Sequence, residues 1–261
     1  VAARWRLLLD GPASGPWNMA VDAALLAAAQ RGAAPTLRFY SWDGAWLSLG
    51  LAQALAPERR AACRAAGIGV VQRSTGGRAV LHGADLTYAV AAPVSALPRG
   101  LRATYARLGE ALREGLAALG VAAERCAAGA PTRRPPAFDC FGAPAPDELS
   151  VGGCKLVGSA QRRSAGGVLQ HGSLRLAPDP PGARAAAGLA GDAATSLAEL
   201  GFALGAERVR EALVAAFARV LDLRFETASL GERELAEAAL LADASPAVIP
   251  RGFSRAPAAG R

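Results

Sequence analysis

Residues 72–88 read Gln72-Arg73-Ser74-Thr75-Gly76-Gly77-Arg78-Ala79-Val80-Leu81-His82-Gly83-Ala84-Asp85-Leu86-Thr87-Tyr88. A polar turn with paired glycines joins two apolar runs here, Ile68–Val71 before it and Leu86–Ala92 after it. Paired glycines let a backbone take positive φ and approach a ligand closely. Two arginines and one of the chain's two histidines share the stretch. Convergent donors between apolar walls suit a carboxyl or phosphoryl ligand. The same residues also fit an ordinary hairpin with a solvated, charged tip, because Gly-Gly turns are common.

Outward from this stretch, apolar runs of strand length alternate with helical patterns. Arg4–Leu9 reads as a first strand, and Pro16 opens a helix that Gly32 ends. Asn18 and Asp22 lie on that helix beside its apolar stripe, placed to pin a neighbouring loop or simply to cap. Thr36–Trp42 and Ala45–Leu49 read as strands of a hairpin turned by Asp43-Gly44. Pro57–Ala66 is a short helix and Pro93–Gly100 a loop. Leu101, Tyr105, Leu108, Leu112, Leu116 and Leu119 step by three and four, predicting a long helix with one buried stripe.

Further on, Val121–Cys126 reads as a strand and residues 127–137 as an irregular loop, followed by a second loop at Gly142–Pro146. Asp147–Val151 and Cys154–Arg162 form a hairpin around Gly152-Gly153, and Val168–Leu176 adds another strand. Pro178–Ala194 is loop-like, Thr195–Glu199 a short helix, and Glu207–Leu221 and Leu230–Leu241 are helices. The pattern predicts an α+β fold, a mixed and largely antiparallel sheet flanked by helices. One domain is expected over residues 1–242, with a flexible C-terminal tail at 243–261.

Composition bounds the function. A chain of 261 residues, 52% hydrophobic and 20% charged, is globular and not disordered. It lacks a run of about 18 uncharged apolar residues, so no membrane span is expected, and its N-terminal apolar run is too short for a signal peptide. The expected compartment is the cytoplasm. Cys63, Cys126, Cys140 and Cys154 have no CxxC spacing, which points away from a metal site and from a disulfide framework. The cysteines are then packing residues or nucleophiles. A net charge of +7 from scattered arginines favours an acidic protein partner over nucleic acid. No G-x-S-x-G elbow, P-loop or dinucleotide fingerprint is present.

Three segments together resemble the lipoate–protein ligase and octanoyltransferase family, which shares its fold with biotin protein ligases. They are Arg73-Ser74-Thr75-Gly76-Gly77-Arg78-Ala79-Val80-Leu81-His82, then Gly153-Cys154-Lys155-Leu156-Val157-Gly158-Ser159-Ala160-Gln161, then Gly167-Val168-Leu169-Gln170-His171-Gly172-Ser173-Leu174. Asn18-Met19-Ala20-Val21-Asp22 fits the family's first helix, and Thr195–Leu200 fits a weaker downstream motif. The resemblance implies that Arg73, Thr75, Gly76, Gly77, Arg78, Ala79, His82, Gly158, Ser159, Ala160, His171, Gly172 and Ser173 surround one acyl-binding tunnel. A chain of about eight carbons would lie there, its burial contributing about 0.8 kcal/mol per methylene.

The family holds two chemistries. Cys140-Phe141-Gly142-Ala143-Pro144, followed by Asp147-Glu148-Leu149, resembles the branch of octanoyltransferases that carries its nucleophilic cysteine there. Lys155 stands fifteen positions after Cys140, the separation at which that branch places the lysine that favours thiolate. Cys140 and Lys155 are therefore the expected catalytic pair, and Cys154, on the opposite face of its strand, a packing residue. The implied donor is octanoyl-acyl carrier protein. The implied acceptors are lipoyl-domain proteins, meaning the glycine-cleavage H protein and the acyltransferase subunits of 2-oxoacid dehydrogenases. No cofactor is implied. The alternative is an ATP-dependent lipoate–protein ligase using ATP and magnesium, for whose accessory domain the roughly twenty residues after the last expected helix leave no room. A non-catalytic acyl-binding relative and, remotely, a biotin ligase are further readings.

Overall fold

The computed structural model describes residues 2–126, 138–141, 148–189 and 194–244. The loops expected at 127–137 and 142–146 lie outside the described residues, as do residues 245–261 of the expected tail. In chain order the elements are β1 (Ala3–Ala13), α1 (Gly15–Gln30), β2 (Thr36–Trp42), β3 (Trp46–Leu49), α2 (Pro57–Ala65), β4 (Gly69–Gln72), β5 (Val80–His82), β6 (Asp85–Pro93), α3 (Leu101–Ala117), β7 (Glu124–Arg125), β8 (Leu149–Val151), β9 (Cys154–Ser164), β10 (Gly167–Arg175), α4 (Ala183–Ala187), α5 (Ala206–Leu221), β11 (Leu223–Thr227) and α6 (Glu232–Asp243). Eight strands form one sheet in the order β11-β1-β2-β6-β10-β9-β8-β7, and β4-β3-β5 form a smaller one. In the large sheet β1 runs parallel to β11 and β2, and every other pair is antiparallel. This is the α+β architecture with a mixed, largely antiparallel sheet that the sequence predicts.

Strand alternation explains the layers. On β6, Tyr88, Val90 and Ala92 face a core shared with Leu108, Leu112 and Leu116 of α3 and Val209, Leu213 and Phe217 of α5. Ala89 and Ala91 face the other way, onto Val21, Ala24 and Leu25 of α1 and Ala238 of α6. The large sheet is thus buried on both faces between two helix pairs. A third core joins β3, β4 and β5 to α2 and α4 through Leu47, Leu81, Cys63 and Ala187. Among the described residues no helix is long and apolar enough to cross a membrane.

Several local expectations give way to tertiary pairing. Asp43-Gly44 does not turn a hairpin: β2 pairs with β1 and β6, whereas β3 leaves the large sheet to pair with β4 and β5. The chain bends there because the Trp46 indole donates back to Asp43 at 2.8 Å, closing a corner between sheets. The stretch at 72–88 likewise is not a two-strand hairpin with a solvated tip. It contains β5, which the short Val80-Leu81-His82 run concealed, and Arg73 and Thr75 are buried within it. Leu101 is exposed, so the buried stripe of α3 starts a turn later. The Pro178–Ala194 segment contains α4. Thr195–Glu199 is a turn and not a helix, its backbone drawn off by Thr195 N donating to the Lys155 carbonyl at 2.9 Å. Strand β11 was not expected, since Leu223–Thr227 pairs only through its parallel partner β1.

Phe217 packs edge-on against Phe39 with ring centroids 6.5 Å apart and is fully buried. Phe217→Ala is expected to lose about 3–5 kcal/mol of stability. Leu240→Ala, whose side chain is 72% exposed on α6, should stay within about 0.5 kcal/mol. Urea unfolding of the two variants checks the assignment of the core.

Candidate active site

Cys140 reaches the 72–88 turn through the backbone. Ala79 N donates to the Phe138 carbonyl at 2.8 Å, and Cys140 N donates to the Ala79 carbonyl at 2.9 Å. The carboxylate of Asp139 then accepts Phe141 N at 2.9 Å and Arg184 Nη2 from α4 at 2.7 Å, so the Cys140 segment is fixed at both ends. From β9, fully buried Lys155 Nζ donates to Glu148 Oε1 at 2.6 Å, to the Cys140 carbonyl at 2.8 Å and to Cys140 Sγ at 3.3 Å. Its ammonium also sits 4.8 Å from the centre of the Phe141 ring. Burial pulls the lysine pKa down, but the charges of Cys140 and Glu148 and the bonds to both outweigh it, leaving Lys155 above the usual lysine value. It is therefore an ammonium at neutral pH, a standing counter-charge beside the sulfur.

Ten of the expected site residues line one pocket: Cys140 itself with Arg73, Gly77, His82, Gly158, Ser159, Ala160, His171, Gly172 and Ser173. The remaining expected residues stand behind its wall. Thr75 bonds to His171, Lys155 lies beneath Cys140, and Ala79 ties the Cys140 segment to the turn. Gly76 and Arg78 contribute carbonyls, which accept Arg73 Nη2 at 2.9 and 2.7 Å. The turn is thereby wound around a guanidinium. Gly77 permits it, at φ +90°, with no room for a side chain beside Arg73. Arg73 Nη1 donates to the Ser48 carbonyl and hydroxyl at 3.0 and 3.2 Å, and no carboxylate pairs with Arg73 among the described residues. Burial holds its pKa below the usual arginine value, yet it stays charged and brings positive potential into the pocket wall.

Six lining residues were not foreseen: Met19, Tyr40, Trp42, Ser48, Val80 and Thr87. They come from α1, β2, β3, β5 and β6; Met19, Val80 and Thr87 lie in stretches quoted above without a role of their own, and Tyr40, Trp42 and Ser48 carry no local motif. Glu148 was quoted in a motif without a role, and its pairing with Lys155 is visible only in space. The same holds for two acid–histidine pairs. Asp22 does not cap α1, whose cap is Ser14 accepting Trp17 N at 3.4 Å. Instead Asp22 Oδ1 accepts Arg38 Nη1 at 2.8 Å, and Oδ2 accepts Tyr40 OH at 2.9 Å and His171 Nδ1 at 2.8 Å. His171 Nε2 in turn accepts Thr75 Oγ1 at 2.7 Å. Asp85 Oδ2 accepts His82 Nδ1 at 2.8 Å, Thr87 Oγ1 at 2.9 Å and Ser173 Oγ at 2.7 Å. His82 Nε2 accepts Ser48 Oγ at 2.8 Å. A carboxylate can only accept, so each ring carries its proton on Nδ1. Burial pushes both carboxyls up, but His171 and Arg38 at Asp22, and His82 and its neighbours at Asp85, hold them below the usual range.

Chemically, the arrangement offers a sulfur nucleophile beside a buried ammonium, an apolar-walled pocket and a fixed guanidinium. Residues 14–218 match the lipoyl protein ligase A/B catalytic domain. The chain is 39% identical to an octanoyltransferase LipM of Symbiobacterium thermophilum, over 92% of this chain and 94% of that one. It is 41% identical to one of Kyrpidia tusciae, over 89% and 93%. Its fold superposes on a lipoate-protein ligase A bound with ATP (TM-score 0.76, 23% identity, 92% of this chain and 95% of that one). It also superposes on a chain from an archaeal lipoylation system of Thermoplasma acidophilum, comprising a bipartite lipoate protein ligase and its E2 lipoyl domain (TM-score 0.71, 22% identity, 94% and 93%).

A Cβ on Gly172 would fall 2.5 Å from Tyr88 Cε1 and 2.7 Å from the Gly158 carbonyl. Gly172→Ala is therefore expected to cost about 1–3 kcal/mol by forcing β9 and β10 apart, measured by urea unfolding. A pH series tests the depressed carboxyls. Their stabilisation is complete above the unfolded value of about 3.9 and is lost as pH falls through the lower folded values. Urea midpoints should fall below pH 4 in the wild type, and fall less steeply in Asp85→Asn.

Proposed function

The chain belongs to the lipoyl protein ligase A/B catalytic domain family, and we propose that it performs octanoyl transfer by holding the acyl group on Cys140. Octanoyl transfer in protein lipoylation is its activity, in line with relatives 39% and 41% identical over nearly the whole chain. The observation that carries the cysteine route is the Lys155 ammonium, buried and 3.3 Å from Cys140 Sγ at the pocket wall. In the first half-reaction the Cys140 thiolate attacks an octanoyl thioester, and the donor thiol leaves. In the second, a lysine amine of the acceptor attacks the Cys140 thioester and leaves as an amide. Lys155 balances the thiolate in both halves, with Glu148 fixing its position. Arg73 supplies positive charge for the tetrahedral oxyanion, and the apolar walls hold the octanoyl chain.

The proposed donor is octanoyl-acyl carrier protein and the proposed acceptors are lipoyl-domain proteins, both met in the cytoplasm. A net charge of +7 suits acidic partners, since complementary charge speeds encounter more than it tightens binding. The exchange of a thioester for an amide runs downhill, so the reading needs neither ATP nor magnesium.

Cys140→Ala tests it. The wild type incubated with octanoyl-acyl carrier protein should gain one octanoyl mass on Cys140, and the variant should gain none and transfer none. Transfer by Cys140→Ala at the wild-type rate would overturn the reading, and octanoate-dependent ATP–pyrophosphate exchange would select a ligase in its place. Glu148→Gln should keep the adduct site but slow loading about tenfold or more, as the ammonium loses its anchor.

A further inference from the structure

Resting on the cysteine acyl-enzyme just proposed, the second half-reaction still needs a group that takes a proton from the attacking amine. Lys155 Nζ is taken up by Glu148 at 2.6 Å and by the Cys140 carbonyl at 2.8 Å, contacts that do not depend on a free sulfur and that favour its ammonium form. Two imidazoles line the pocket, His82 and His171, each with Nδ1 donating to a buried carboxylate and Nε2 against a hydroxyl. Three observations separate them. The hydroxyl on His82 is Ser48, which lines the pocket, whereas Thr75 on His171 stands behind the wall. The carboxylate behind His171, Asp22, already faces the Arg38 guanidinium at 2.8 Å. The carboxylate behind His82, Asp85, is in contact with no arginine or lysine among the described residues. A new positive charge on His82 would therefore meet an unspent negative one, and a charge on His171 would not. Third, the His82 ring is stacked on Trp42, centroids 4.0 Å apart at 17°, a surface that favours a cation.

We propose that Asp85, His82 and Ser48 form the proton-accepting relay for amide formation. The amine lone pair forms the C–N bond, and the carbonyl π pair moves to oxygen. As that pair returns, the C–S bond breaks and its electrons leave on Cys140 Sγ. The N–H proton passes to Ser48 Oγ while the Ser48 proton passes to His82 Nε2, giving an imidazolium beside the Asp85 carboxylate. Solvent then takes the proton. The groups facing His82 are Asp85 from β6, Ser48 from β3 with Arg73 behind it, Trp42 from β2, and Ser173 from β10 through its bond to Asp85. Arg73 opposes protonation of the ring and Asp85 favours it. Asp85 contacts His82 directly, at 2.8 Å, while Arg73 reaches it only through the Ser48 hydroxyl.

Single-turnover kinetics on the full chain read the two halves separately. Each protein is loaded from octanoyl-acyl carrier protein and followed by intact mass, then mixed with a lipoyl domain or with hydroxylamine, a nucleophile that needs little help with its proton. His82→Gln is expected to load within threefold of wild type and to pass octanoyl to the acceptor lysine at least a hundredfold more slowly. Its decay with hydroxylamine should stay within threefold of wild type. Ser48→Ala should show the same split, and it serves if His82→Gln does not fold. His171→Gln should slow loading and transfer by equal factors. Equal losses in both halves for His82→Gln and Ser48→Ala, or equal losses with lysine and hydroxylamine, would overturn the relay. Failure of the wild type to load at all would instead overturn the acyl-enzyme on which the relay rests.

Discussion

A fully buried ammonium organises this site. Lys155 cannot leave water without partners, because an unpaired charge at that depth would cost several kcal/mol. Its three donors are met by Glu148, by the Cys140 carbonyl and by the Cys140 sulfur. Those contacts join β9 to the residues on either side of the 142–147 segment. The backbone pairing of Ala79 with Phe138 and Cys140 then brings the same sulfur to the arginine–glycine turn. One cation thus ties together three parts of the chain that are distant in sequence.

The rest of the pocket follows a related rule, that buried charge comes with fixed hydrogen bonds. Arg38 is fully buried, and Asp10, Asp22 and Asn18 meet its donors. Among the described residues Arg73 is met by neutral oxygens alone, from Ser48, Gly76 and Arg78. The two guanidiniums therefore differ in kind. Arg38 is a neutralised strut between α1 and β2, and Arg73 is a source of positive potential in the pocket wall. The carboxylates divide in the same way, with Asp22 neutralised and Asp85 left to its histidine. A pocket lined by apolar surface amplifies such differences, because little water is present to screen them.

Much of this was legible from one chain. Hydrophobic periodicity located most helices and strands, since a stripe such as Leu108-Leu112-Leu116 has few alternatives to burial. Motif spacing identified Arg73, Cys140, Lys155 and the 171–173 strand as one site. Misreadings came where a local signal competed with long-range pairing. Asp43-Gly44 has the composition of a hairpin turn, yet both flanking strands found better partners in different sheets. Strand β11 has only its parallel neighbour to reveal it, and a parallel pairing leaves no turn in the sequence. The unforeseen lining residues, Ser48 and Trp42 among them, are ordinary strand residues whose role depends on which face of which sheet they occupy.

By itself, then, the sequence determined the fold class and the family, and it singled out the cysteine and lysine that the structure brings into contact, because each rests on residue type and spacing along the chain. The charge state of the pair's surroundings belonged to the tertiary structure. Glu148 becomes the anchor of Lys155 only when β8 and β9 are side by side, and Asp85 becomes the partner of His82 only across the turn between β5 and β6. The physical reason is that a charge acts through distance and burial, and neither quantity is written in the order of the residues. The arginine–glycine turn shows both sides: its sequence has the composition of a ligand-binding loop, and only its winding around Arg73 shows that the cation inside it meets no anion among the described residues.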